Sequence, residues 1–388
     1  MTSANGKTTQ TAIVCHGGLD LRVEEREIPV PQDGEVQIQV GVSGLCGSDA
    51  HYYNHGANGI FKIREPLVLG HEAGGVITAL GPNQPAGSTL KVGDRVAMEV
   101  GVMCGECKWC KTGRYNLCPK MRFRSSAKTF PHLDGTMREY MTNDARLCYK
   151  LPDTVSMDVA ALAEPLSVVL HAWRKANLKP GCRVLILGAG AVGLLACALA
   201  RASGATTVVA VDIEQAKLDF AERMGWTTGT YALPKGPRVS GLEALEVAKQ
   251  GWEGLKASTA VTRVEGLQDG FDAVFECTGV ESCMQLAPMA AAPGTKVLFV
   301  GMGTANLVLP TGVSLLREVD LIGVFRYCNT YPEAIALLGS GSLGDVGQMV
   351  SQRYPLERAH EAFEDMKRGR DKDGRPVIKP MVGNLEVK

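Results

Sequence analysis

The sequence predicts an α/β fold, with a doubly wound parallel sheet that follows a β-rich region. Three observations carry this. From residue 183 onward, near-continuous apolar strands alternate with helical segments, the pattern of a parallel sheet covered on both faces. GAGAVG at 188–193 lies between the first of those strands and the first helix. Residues 11–150 instead hold short alternating runs separated by Gly, Pro, Asp and Asn, which suit a sheet or partly open barrel with long loops.

The β-rich region is carried by AIVCHGGLDLRVEERE, GEVQIQVGVSGLC, GGVITALG and DRVAMEV. Near residue 155 the character changes, and MDVAALAEPLSVVLHAWRKANL reads as a helix stopped by KPG. RVLILG, AVGLLACALARASG, TVVAVD and EQAKLDFAERMG then give strand, helix, strand, helix. FDAVFEC, a helix near 281–291, TKVLFVG and VDLIGVFRY continue the alternation. Residues 234–266 read as a surface insertion with one helix, and YPLERAHEAFEDMKRGRDKDGRPVIKP as a helix followed by a last strand.

A chain of 388 residues is long enough for two domains, each with its own core. Its 41 basic and 41 acidic residues balance, so no global field favours nucleic acid or an anionic membrane as partner. MTSANGKTTQ is polar, which predicts no secretory leader. The longest apolar stretch, 184–200, is broken by three glycines and reads as strand, turn and helix, not as a membrane span. With no leader expected, the twelve cysteines point to a reducing compartment and to free or metal-bound thiols.

The glycine pattern has the context that dinucleotide binding requires. Gly188 suits the tight turn after RVLIL, Gly190 lets backbone approach a pyrophosphate, and Gly193 allows close packing of helix on strand. The helix N-terminus would face the phosphates with free N–H groups. Asp212 ends the next strand, 19 residues after Gly193. A carboxylate there accepts hydrogen bonds from both ribose hydroxyls and repels a 2′-phosphate, favouring NAD over NADP.

Cys104, Cys107, Cys110 and Cys118 have the spacing C-x2-C-x2-C-x7-C. Four thiolates in one loop can close around zinc, and a closed shell leaves no position for substrate. An iron–sulfur cluster uses the same ligands. A nucleic-acid-binding zinc ribbon is the other alternative, and the surrounding lysines and arginines would equally serve as a solvated face. A second set is spread out: Cys46, Ser48, Asp49, His51 and Tyr52 in CGSDAHYY, His71 and Glu72 in GHEAGG, and Glu164 in EPLS. A cysteine, a histidine and a carboxylate from it would leave a catalytic zinc one open position.

GHEAGG, the four-cysteine loop and GAGAVG, in that order, resemble the medium-chain, zinc-dependent alcohol dehydrogenases over residues 11–383. CGSDAHYY, EPLSV and REVDLIGVFRYCNTYPEAI are similar to the polyol branch, the sorbitol and xylitol dehydrogenases. The resemblance implies a GroES-like β-barrel catalytic domain with a Rossmann domain inserted in it. Expected boundaries are 1–166 for the first part of the catalytic domain, 167–328 for the NAD domain and 329–388 for the return segment.

It also implies roles. Cys46, His71 and Glu72 become ligands of a catalytic zinc, and Glu164 either holds water or substrate beside it or exchanges with Glu72 as the third ligand. Adjacent residues of a strand point to opposite faces, so His71 and Glu72 require a bent backbone, for which Gly70, Gly74 and Gly75 are the candidates. Cys104, Cys107, Cys110 and Cys118 become a structural zinc site. The proton leaves through the zinc-bound water, through Glu164, or through a relay of Ser48 and His51. Tyr52, Phe61, Glu164, Arg326 and Tyr327 become polyol-binding residues. Gly188, Gly190, Val192, Gly193, Asp212, Lys217, Val300, Gly301, Val324, Phe325 and Arg326 become NAD contacts. The implied reaction oxidises a secondary hydroxyl to the ketone, with hydride passing to NAD. L-arabinitol 4-dehydrogenase and other secondary-alcohol or threonine dehydrogenases are the neighbouring alternatives. A cytoplasmic homotetramer is expected. One departure stands out, Gln84 in a slightly long loop after the GHE signature, where the family has a small or β-branched residue.

Overall fold

The computed structural model describes residues 7–384 and 387. By its contacts the chain divides into two compact units. One comprises the residues up to Glu164, Cys328–Gly341 and those from Val346 on, and the other Pro165–Tyr327 with Ser342–Asp345. The short excursion at 342–345 has a local cause. Trp226, 3% exposed, donates its indole N–H to the Leu343 carbonyl at 2.9 Å.

In the first unit the strand Glu35–Gly44 is the centre of a seven-stranded sheet. It pairs antiparallel with Glu72–Leu80, Tyr140–Asp144 and the late strand Lys379–Gly383. Its alternating Val36, Ile38, Val40 and Val42 are all buried, as the period of two requires. Register slips twice against Glu72–Leu80, the second time between Val40 and Val42, opposite Gly75 and Gly74. A Cβ at Gly75 would come within 2.4 Å of the Gln39 carbonyl, so this close approach needs glycine. Gly74 and Gly75 therefore serve packing. The bend that presents His71 comes from Gly70, whose φ of +92° lies in the region that favours glycine. Gln84 fits its loop by donating to the carbonyls of Glu35 and Gly81.

The second unit holds a six-stranded, all-parallel sheet. In space the order is Gly229–Ala232, Thr207–Asp212, Arg183–Leu187, Phe271–Glu276, Ala291–Phe299, Asp320–Gly323. This is the doubly wound order whose strand ends open a crevice at the reversal beside the first strand. Val184, Leu185, Ile186 and Leu187 are fully buried, because helices cover both faces.

Two expectations are corrected. The helix read across 157–178 is two helices, Met157–Ala161 and Ala163–Ala176, the first capped by the Ser156 hydroxyl. Residues 234–266 are no surface insertion. The helix Gly241–Ala257 packs on the helix Glu281–Ala290, and Ala248, Trp252 and Leu255 enter the core with Leu185, Val209 and Val274. Its outward lysines and glutamates and its Gly-Pro-Ser flank disguised it. Among the described residues no helix is long and apolar enough to cross a membrane.

Trp252→Ala tests the core role. Denaturant unfolding should show a loss of about 3–5 kcal/mol in this unit. A loss within about 0.5 kcal/mol would return the segment to the surface.

Candidate active site

Cys46 is the N-cap of the helix Gly47–His55, in extended conformation, so its thiol stands clear of the helix barrel. Asp49, fully buried in the first turn, accepts from the Cys46 N–H at 3.2 Å, the Gly70 N–H at 3.1 Å and the Ser125 hydroxyl at 2.7 Å. Its Oδ1 also lies 3.4 Å from His71 Nδ1, an ion-pair distance without a well-formed hydrogen bond. One carboxylate thus fixes both loops, a second contact layer that orients a ligating imidazole. Burial works against charge on Asp49, but His71, Ser125 and Gly70 outweigh it and hold the carboxyl below its usual range. Burial likewise opposes charge on His71, and Asp49 and Cys46 overcome it, lifting the imidazole well above its usual range.

Ligand atoms of Cys46, His71 and Glu72 lie within 4.8 Å of one another. A thiol, an imidazole and a carboxylate gathered this closely are a donor set that fits a zinc with a fourth position open. A fourth residue was not anticipated. Lys379 Nζ lies 2.6 and 2.8 Å from the two Glu72 oxygens and 2.9 Å from the Leu45 carbonyl, with both side chains at most 3% exposed. Burial pulls the ammonium's pKa down, yet Glu72, and then Cys46, raise it above the ordinary lysine value, and Glu164 adds to the effect. A Cβ at Gly44 would sit 2.3 Å from Glu72 Oε2, so glycine there makes room for the carboxylate. Lys379 escaped the sequence because it is 307 residues from its partner and belongs to no motif.

The remaining expected residues separate. Glu164 is 5% exposed in the first turn of the helix Ala163–Ala176. Ser48 Oγ lies 3.4 Å from His71 Nε2, and His51 is one turn further along the same helix. Tyr52 lies on the same helix. It is 2% exposed, its hydroxyl accepts from the Ala127 N–H, and it packs with Leu45, Leu67 and Phe363. Phe61 packs against the same core. Both serve the barrel, because their rings complete the apolar layer under the helix that carries Cys46.

The four-cysteine loop is compact. Its sulfurs lie 3.5 Å apart for Cys107–Cys110 and Cys104–Cys118, and 3.9 Å for Cys104–Cys110. A disulfide would need ~2.05 Å. A tetrahedron with bonds of ~2.3 Å has edges of ~3.8 Å, which matches. Backbone N–H groups of Cys107 and Glu106 lower the Cys104 thiol to about 6, favouring the thiolate that a metal takes.

In the second unit each glycine has its own task. Gly188 has φ +97°, Gly190 caps the helix Ala191–Ala202 with open space where a Cβ would stand, and a Cβ at Gly193 would collide with the Gly188 carbonyl at 1.7 Å. Val192 lies in that helix's first turn. Asp212 ends its strand and accepts from the Ala189 N–H at 2.6 Å and the Glu214 N–H at 2.8 Å, so it also ties the glycine turn to the sheet. Lys217 follows on the helix Gln215–Arg223. Across the crevice, Val300 and Gly301 donate to the Glu276 carbonyl, and Val324 to that of Phe299. Arg326, at φ +53°, stacks its guanidinium 4.8 Å over the Phe325 ring, and Tyr327 is buried. Sequence reasoning missed Glu276, whose carboxylate accepts from the N–H groups of Thr278 and Gly279 and shapes this edge.

Comparison with known proteins agrees with this geometry. Residues 32–153 match the alcohol dehydrogenase GroES-like domain, and residues 191–340 match the zinc-binding dehydrogenase domain. The chain is 40% identical to sorbitol dehydrogenase of Gallus gallus over 92% of its own length and 93% of that protein. It is 37% identical to a probable D-xylulose reductase A of Emericella nidulans, over 95% and 97%. Among solved structures, L-idonate 5-dehydrogenase of Escherichia coli superposes with a TM-score of 0.81 at 29% identity, over 96% of this chain and 98% of that one.

Metal analysis should find two zinc ions per chain, with one lost in Cys46→Ser and the other in Cys107→Ser. Lys379→Met should destabilise the metal-free chain by about 3 kcal/mol or more, the cost of a buried charge left unpaired. It should also slow the release of one zinc to a chelator, because Glu72 loses its competing cation. Unchanged release would detach Lys379 from the metal centre.

Proposed function

Because the chain belongs to the medium-chain, zinc-dependent alcohol dehydrogenase family, we propose that it is an NAD-dependent polyol dehydrogenase. It oxidises a secondary hydroxyl of a sorbitol- or xylitol-like polyol to the ketose. The observation that carries this is the gathering of Cys46, His71 and Glu72 into one group, separate from a closed four-thiol cluster, in a chain 40% identical to a sorbitol dehydrogenase. A group with an open position can take a hydroxyl, and a closed one cannot.

When bound at Cys46, His71 and Glu72, zinc supplies a Lewis acid for the hydroxyl oxygen, and NAD takes the hydride. The chain's own residues do the rest. Asp49 holds His71 in one tautomer and orientation. Lys379 pairs with Glu72 and holds its carboxylate in place in a buried position. Ser48, beside His71, receives the hydroxyl proton and passes it through His51 to solvent, with Glu164 orienting the hydroxyl. The hydroxyl oxygen loses a proton and the carbinol carbon a hydride, which balances the ketose product. Arg326 and Tyr327 bind the further hydroxyls, a task that needs fixed donors and acceptors. The Asp212 carboxylate takes the ribose hydroxyls and disfavours a 2′-phosphate.

The reading includes a cytoplasmic homotetramer. Twelve cysteines without a disulfide among the described residues support a reducing compartment.

With NAD and a panel of polyols, absorbance of the reduced nicotinamide should rise with xylitol or sorbitol. Silence across the panel would end the reading. Asp212→Ala should shrink the preference for NAD over NADP by roughly tenfold, the factor that ~1.4 kcal/mol carries. An unchanged preference would remove Asp212 from cofactor selection.

A further inference from the structure

The oxidation described above makes no use of one buried ionisable cluster. Glu99, 1% exposed, accepts hydrogen bonds from the hydroxyls of Tyr115 at 2.6 Å and Tyr149 at 2.9 Å. Asn143 Nδ2 donates to the Glu99 carbonyl and holds it from the other side. Each tyrosine then reaches the segment 329–331. The Tyr115 oxygen accepts from the Asn329 N–H at 2.7 Å. The Tyr149 ring stacks on Tyr331 at 5.3 Å, and the Tyr331 hydroxyl donates to the Met98 carbonyl at 2.8 Å. Asn329 adds a third tie, donating from Nδ2 to the Gly113 carbonyl at 2.7 Å. Gly113 and Tyr115 both lie between Cys110 and Cys118.

The backbone here is not relaxed. Arg326 has φ +53° and Asn329 φ +55°, two non-glycine residues in the left-handed region that bracket Tyr327. Each such residue is costly and persists where its surroundings over-determine it. Side-chain ties at 329 and 331 are surroundings of that kind, and the cysteine loop provides two of them.

We infer that Glu99, Tyr115 and Tyr149 form a positioning cluster through which the four-cysteine loop fixes Asn329–Tyr331, and with it the polyol-binding Arg326–Tyr327. This rests on the assignment of Arg326 and Tyr327 to the polyol. The cluster touches no reacting atom. It makes the closed thiol site a determinant of substrate affinity, because the loop that the thiols shape supplies the acceptors that hold Asn329.

The test uses the zinc-loaded full-length enzyme and two variants. Tyr115→Phe keeps the ring and removes the oxygen that links Asn329 to Glu99. Asn329→Gly keeps access to positive φ and removes the tie to Gly113. Each should retain both zinc ions and raise the KM for xylitol or sorbitol roughly three- to tenfold, the worth of one or two hydrogen bonds. Amide hydrogen exchange across 324–331 should accelerate in both variants. Exchange across the strand Arg183–Leu187 should stay unchanged, since a general loss of structure would move it as well. Unchanged exchange in a zinc-replete variant would overturn the cluster's role. Faster exchange with an unchanged polyol KM would overturn its link to substrate, and equal acceleration in Arg183–Leu187 would overturn its local character. If Tyr115→Phe loses zinc, Asn329→Gly, outside the cysteine loop, decides the matter. If the unmodified enzyme turns over no polyol, the functional assignment and the link to substrate fall, and the exchange data still decide whether the cluster holds the segment.

Discussion

The ion pair between Glu72 and Lys379 is the constraint on which the first unit depends. Both groups are out of water and 2.6 Å apart, and either one alone would be an uncompensated buried charge. The pair joins the strand that follows His71 to the last strand, so a residue near the end of the chain completes a site begun near its start. Met381 and Val382 pair with Gly44 and Ser43 in register, which delivers the lysine to the carboxylate. Gly44 leaves the space in which that carboxylate lies.

Asp49 applies the same rule to the other two ligands. A fully buried carboxylate must be satisfied, and here its partners are the Cys46 and Gly70 backbones, Ser125 and the His71 ring. The demand of one charge for partners therefore brings two distant loops together. In both cases a satisfied buried ion does the positioning, and a residue able to coordinate metal is held by one outside the ligand group.

The two thiol-bearing sites differ in what they leave open. Four sulfurs at near-tetrahedral spacing close on themselves, whereas Cys46, His71 and Glu72 make three corners and stop. The closed site still reaches beyond itself, because Tyr115 and Gly113 in its loop hold Asn329. Tyr52 and Phe61 show the reverse. They lie close in sequence to Cys46 and His71, and their rings belong to the core beneath.

Much of this was legible in the order of residues. The glycine turn, its strand and its helix are contiguous, so spacing alone assigned Gly188, Gly190 and Gly193 their places. The four cysteines fall within fifteen residues, and their geometry follows from a single loop. Local periodicity also marked five of the six parallel strands, missing the short edge strand Gly229–Ala232, and it misread Gly241–Ala257, whose buried stripe of Ala244, Ala248, Trp252 and Leu255 is narrow among charged neighbours. The grouping of Cys46, His71 and Glu72 was reached through family resemblance, since 25 residues separate the first two. What tertiary structure alone decided was the partner of each buried charge: Lys379 for Glu72, Asp49 for His71, Glu99 for Tyr115 and Tyr149. Pairing of this kind answers to distance in space and to the exclusion of water, and neither is written in the spacing of residues along the chain.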